Sequence, residues 1–237
     1  MDVSSSQERP ILYNRDSALA YADSLQAKNG EILKSVERLQ AIVEQSLISI
    51  DHGFDSSKPG NSANGFIIQT EKAKYIATAA HNIENGNKHE GSVIDPNTSE
   101  HYPTQECSKY GSDTAITNNA YIGSRPGLSV GYAMRGDVVG IYGKKHTGEG
   151  KFEMNEPMWG VVLGGFTDQK GDFFYEVSFS SREPSKEAGD SGSPVVSLNS
   201  ETRSAVAVGA FHGRMRDENG KTISYLFSPI PVDFDKV

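Results

Sequence analysis

The chain has 237 residues, 36% hydrophobic and 23% charged, with a formal net charge of −8. That length can bury a core in one large β domain or two small subdomains, and the negative balance disfavours sequence-independent nucleic-acid binding. No apolar run reaches the length of a membrane-crossing helix, and a single cysteine, Cys107, excludes an intramolecular disulfide.

The first ten residues are polar and lack the basic start and apolar middle of a secretory signal. Together with the missing disulfides, this predicts a reducing compartment or export by a non-classical route. Residues 1–45 read as a helical extension. Asp16 or Ser17 caps a first helix over 18–28, which stops at Asn29-Gly30. A second begins at Glu31 and places Ile32, Val36, Leu39 and Val43 along one face. Such a stripe predicts packing on the protein body. Self-association, docking to a partner, or a removable pro-segment is the alternative use.

After Gln45 the texture changes to short runs of Val, Ile, Tyr and Phe broken by Gly, Asn, Asp and Pro. That is the pattern of an antiparallel all-β domain, here spanning 46–237. Strands are predicted at 46–50, 65–70, 74–79, 138–142, 158–166, 173–179, 194–197, 205–211 and 224–228. The polar stretch 84–112 reads as loop. Residues 118–136, with Gly123, Pro126, Gly127 and Gly131, read as the connection between two halves. Periodicity alone supports a sandwich or a barrel.

Three segments carry chemistry: Thr78-Ala79-Ala80-His81, Ser112-Asp113-Thr114-Ala115-Ile116, and Gly189-Asp190-Ser191-Gly192-Ser193-Pro194. A serine hydroxyl needs a positioned base to become nucleophilic. The glycines around Ser191 allow a tight turn and close approach of substrate. The same turn aims the amides of Gly189 and Ser191 into one space, an oxyanion hole worth about 3–4 kcal/mol per donor. His81 is the candidate base, since its ring accepts and returns a proton near neutral pH. Asp113 is the candidate orienter of that ring. Asp95 competes for this role, but Pro96-Asn97 behind it reads as an ordinary turn. Cys107 sits in the polar stretch without a Gly-rich elbow and reads as an inert thiol. Asp168-Gln169-Lys170-Gly171-Asp172 reads as a hairpin turn, with too few regularly spaced oxygens for calcium. No metal or cofactor motif is present.

In the order His, Asp, Ser these segments resemble the trypsin/chymotrypsin-like serine endopeptidases, and Gly192-Ser193-Pro194 resembles their bacterial glutamyl-endopeptidase branch. The resemblance implies two antiparallel β-barrels, about 46–125 and 126–237, with the site in the crevice between them. It implies peptide-bond hydrolysis on a protein or peptide substrate, with no cofactor, nucleic acid or membrane. It also implies a primary pocket lined by Ser185 and by the strand leading from Gly209, which carries Phe211 and His212. A neutral residue at 185 gives no support to a preference for Lys or Arg. Glutamate-specific relatives carry histidine where this chain has Phe211, so whether His212 reaches the pocket stays open. The rival reading keeps the same fold as an inactive binding module.

Overall fold

Short apolar runs with side chains alternating between two faces build a β protein here. The structure is a computed structural model and describes residues 40–51, 62–83, 92–94, 101–103, 107–110, 112–117, 122–148, 151–154, 157–179, 191–199 and 204–236. The first half contains β1 (Leu47–Asp51), β2 (Ser62–Gln69), β3 (Lys74–Ala79), β4 (Ser92–Ile94), β5 (His101–Pro103), β6 (Cys107–Tyr110) and β7 (Thr114–Thr117). Then come β8 (Leu128–Val130), β9 (Val138–Ile141), the two-stranded β10 (Lys144–Gly148) and β11 (Lys151–Met154), β12 (Met158–Thr167), β13 (Phe173–Phe179), β14 (Pro194–Asn199), β15 (Ser204–Arg216) and β16 (Thr222–Pro229).

The second half closes on itself. Its hydrogen-bonded order is β14-β9-β12-β13-β16-β15, and β15 returns to β14 to complete a barrel that leaves no free edge. In the first half the described pairings run β5-β4-β1-β2-β3-β7-β6. Strand β8 joins the two, lying parallel to β2 on one side and to β15 on the other.

Each half has its own core. Ile48, Ile50, Ile67, Ile76 and Val93 meet in the first, and Val139, Val162, Val177, Val195 and Phe227 meet in the second. A third cluster lies across the two, bringing Leu47, Phe66 and Ile68 together with Tyr142, Val196 and Ala210. Burying each Val, Leu, Ile or Phe among them contributes about 1.5–3 kcal/mol. Val43 belongs to this shared cluster and is fully buried, midway along the helical residues 40–46. The first predicted helix and most of the second lie outside the described residues.

Two predicted loops contain strands. The polar 84–112 stretch holds β4, β5 and β6, so Cys107 starts a strand paired to Thr117 on β7, at the edge of the sheet among the described residues. The predicted connection 118–136 holds β8. Asp168–Asp172 is a hairpin turn as expected: the Asp168 carboxylate accepts the amides of Lys170 and Asp172 at 2.8 and 2.9 Å. Among the described residues no helix is long and apolar enough to cross a membrane.

Candidate active site

Strand pairing brings His81 and Asp113 together. β3 and β7 are antiparallel, with Ala79 opposite Thr114. His81 follows β3 in a single 3₁₀ turn, Ala80–Asn82, and Asp113 immediately precedes β7. The Ala80 amide donates to the Asp113 carbonyl at 2.7 Å. The His81 amide donates to Asp113 Oδ1 at 3.0 Å, and His81 Nδ1 lies 2.6 Å from Asp113 Oδ2. Main chain and side chain together fix one aspartate against one imidazole.

The second half holds Asp113 from behind. Its amide donates to Ser228 Oγ at 3.1 Å, and the Thr114 hydroxyl donates to the carbonyls of Ser228 and Pro229 on β16. Ser112 Oγ donates to the Phe173 carbonyl on β13 at 2.7 Å.

Ser191 reaches the same imidazole from the other half. Its Oγ lies 2.5 Å from His81 Nε2. Its carbonyl accepts from the Asn64 amide on β2 at 3.0 Å, and Gly192 donates to the Phe211 carbonyl at 2.8 Å. Gly192 has φ +82°, and a Cβ there would stand 2.0 Å from the Asn64 carbonyl oxygen and 2.4 Å from Thr78 Oγ1. Only glycine fits the point where the turn crosses the first half.

A second histidine shares the aspartate. His212 Nδ1 lies 2.5 Å from Asp113 Oδ2, the oxygen His81 also meets. β15 carries a bulge at this point: Phe211 pairs with Phe227 and Gly213 with Leu226, so His212 is the extra residue. A bulge re-aims the side chain it carries. The His212 ring rests on Phe174, centroids 4.6 Å apart, and stands edge-on to His81 at 5.5 Å.

Burial of Asp113 opposes its ionisation. The hydrogen bonds from His212 and His81, with the charge and amide of His81, outweigh that and hold the carboxyl at about 2. With Asp113 ionised, both rings must carry a proton on Nδ1, which leaves Nε2 of a neutral His81 free to accept from Ser191.

The structure places two of the residues named for the primary pocket. His212 Nδ1 meets Asp113 Oδ2, because the bulge breaks the simple alternation of strand faces. Phe211 is 3% exposed and packs in the barrel core beside Tyr225. Ser185, Gly189 and the competing Asp95 lie outside the described residues. The role of His212 was missed; the one signal for it is Gly213, since glycine inside a strand marks a bulge.

No protein-family model matches the chain, and no curated protein matches it in sequence. Solved structures do match in shape. The inactive form of the Rv3671c protease of M. tuberculosis superposes with a TM-score of 0.53 at 18% identity, covering 85% of this chain and 90% of that one. The MamO protease domain of Magnetospirillum magneticum gives 0.57 at 17% identity, over 84% of this chain and 99% of that one. The fold is that of the trypsin-like serine proteases. The HtrA-type protease AlgW shares it too, with a TM-score of 0.52 at 14% identity over 81% of this chain and 59% of AlgW. In this all-β, chymotrypsin-like architecture the closed barrel of the second half delivers Ser191, and the strands of the first deliver His81 and Asp113.

Proposed function

We propose that this chain is a serine endopeptidase acting on protein or peptide substrates through Ser191, His81 and Asp113. The observation that supports this most directly is the unbroken contact from Ser191 Oγ to His81 Nε2 at 2.5 Å and from His81 Nδ1 to Asp113 Oδ2 at 2.6 Å. In this reading Oγ attacks the scissile carbonyl while Nε2 takes its proton, and Asp113 stabilises the imidazolium that forms. The oxyanion faces the amides of Gly189 and Ser191. Collapse of the tetrahedral intermediate releases the amine, which takes the proton from Nε2, and leaves an acyl group on Oγ. Water then attacks the acyl-enzyme with His81 again as base. The division into 46–125, 126–237 and a helical extension 1–45 belongs to the same proposal.

The contact of His212 Nδ1 with Asp113 keeps that ring proton from a substrate glutamate, and Ser185 offers no carboxylate to a substrate cation. Neutral residues before the scissile bond fit both facts. The test is labelling with a fluorophosphonate, followed by turnover of peptides that differ only at that position. Ser191 alone should be modified, and Ser191→Ala should lower kcat by a factor on the order of 10⁴. Undiminished turnover in Ser191→Ala would sink the assignment.

A further inference from the structure

We propose that His81, Asp113 and His212 form a binding site for a divalent transition metal, Zn²⁺ first among them, and that its occupancy removes the general base. Two imidazoles and a carboxylate are a donor set suited to zinc. One donor atom from each residue lies within 4.8 Å of those of the other two. Both Nδ1 atoms already converge on a single oxygen, Asp113 Oδ2, at 2.6 and 2.5 Å. The two ring planes stand at 88° to one another, edge to face, so the rings reach the oxygen without stacking flat on each other.

The required movement is small. Zinc bonds of about 2.0–2.2 Å in a tetrahedron place neighbouring donors about 3.3 Å apart. Each Nδ1···Oδ2 contact would open by less than about 1 Å, within reach of side-chain rotation. The rings have room, with side-chain exposures of 45% for His81 and 35% for His212. Access is built in. A cavity of about 280 Å³ opens onto Asp113 and His212 between Lys109, Lys170 and Phe174. Metal ligands are commonly held by a further contact behind them. Ser191 Oγ stands at His81 Nε2 to supply that, and the Phe174 ring packs against the His212 ring.

The protons balance without loss. A neutral ring that coordinates through Nδ1 moves its proton to Nε2. His81 Nε2 then donates to Ser191 Oγ and cannot take the hydroxyl proton. The sequence carries no metal signature because the three residues stand at 81, 113 and 212, and only the β3–β7 pairing and the β15 bulge join them.

Binding and inhibition are separable. The inhibitory consequence rests on the endopeptidase reading; the metal site does not. The decisive protein is Ser191→Ala, which is silent as a peptidase yet keeps all three ligands. Titration with Zn²⁺ by calorimetry, and with Co²⁺ by visible absorption, should show one equivalent bound in a four-coordinate site. Adding His212→Ala to that protein, with its fold verified by circular dichroism, should weaken this binding by about tenfold or more. Equal affinity with and without His212 would overturn the site. In the wild-type chain Zn²⁺ should inhibit turnover reversibly by EDTA. For His212→Ala, referred to its own metal-free rate, the inhibition constant should rise by a similar factor. Zinc that binds through His212 and leaves turnover untouched would overturn the inhibitory half.

Discussion

His212 Nδ1 and His81 Nδ1 meet the same carboxylate oxygen, Oδ2 of Asp113, at 2.5 and 2.6 Å. One aspartate therefore fixes two rings, and the position of one ring depends on the other. A hydrogen bond to a charged group is worth about 1.5–3 kcal/mol. His212→Ala should accordingly lower kcat by about tenfold or more, with KM little changed, because Asp113 loses a donor and His81 loses its fixed mark. His212→Asn, whose amide also donates, should recover part of the loss. An alanine variant as fast as the parent would show that His81 is oriented without its neighbour.

Gly192 and Gly220 offer a matched pair. Both have positive φ, +82° and +78°, but a Cβ at 192 meets the Asn64 carbonyl at 2.0 Å while one at 220 meets nothing within 4 Å. Gly220→Ala should cost about 1 kcal/mol, the backbone penalty alone. Gly192→Ala adds a collision with main chain that cannot rotate away, and should cost about 3 kcal/mol or more. Urea unfolding of both variants measures the difference, and comparable midpoints would refute it.

Acid should weaken the fold through Asp113. Its carboxyl is lowered from 3.8 to about 2 by its histidine donors, which prevail over burial. A depressed carboxyl contributes stability that is complete above 3.8 and disappears as pH falls through about 2. That amounts to roughly 2 kcal/mol. Between these limits the unfolding free energy of Asp113→Asn should depend less steeply on pH than that of the parent.

The alkaline limb should bend. Burial, helped by the charge of Arg125, lowers Lys144 from 10.5 to about 8. The unfolded chain then binds more protons across that window, and stability rises with pH. Burial, with Glu44 nearby, raises Tyr142 above its ordinary 10.0, so beyond that value only the unfolded chain loses this proton and stability falls. A maximum near pH 10 is expected in urea titrations. Lys144→Met should flatten the rise, and Tyr142→Phe should remove this part of the fall.

Legibility followed the length and alternation of the elements. The strands Lys74–Ala79 and Phe173–Phe179 coincide with their predicted bounds, because each has apolar residues facing a core and a clear break at both ends. Three-residue strands such as Ser92–Ile94 and His101–Pro103 are too short to show a period, and the polar residues around them conceal the rest. Leu128–Val130 stood in a Gly- and Pro-rich stretch, and parallel pairing to two distant strands leaves no local mark. The contact between His81 and Asp113 was legible because local motifs flank both. His212 was not, since its direction depends on a bulge defined by its partner strand, β16.

Strand β8 bears on how the cleft can move. Leu128 and Ser129 pair with Ile68 and Gln69, while Ser129 and Val130 pair with Val206 and Ala207. The walls that carry His81 and Ser191 are thereby parts of one continuous hydrogen-bonded sheet. A hinge between them would have to tear a ladder of main-chain bonds, which separates this molecule from proteins whose two domains close on a ligand. The alignment of serine with imidazole is then a property acquired at folding.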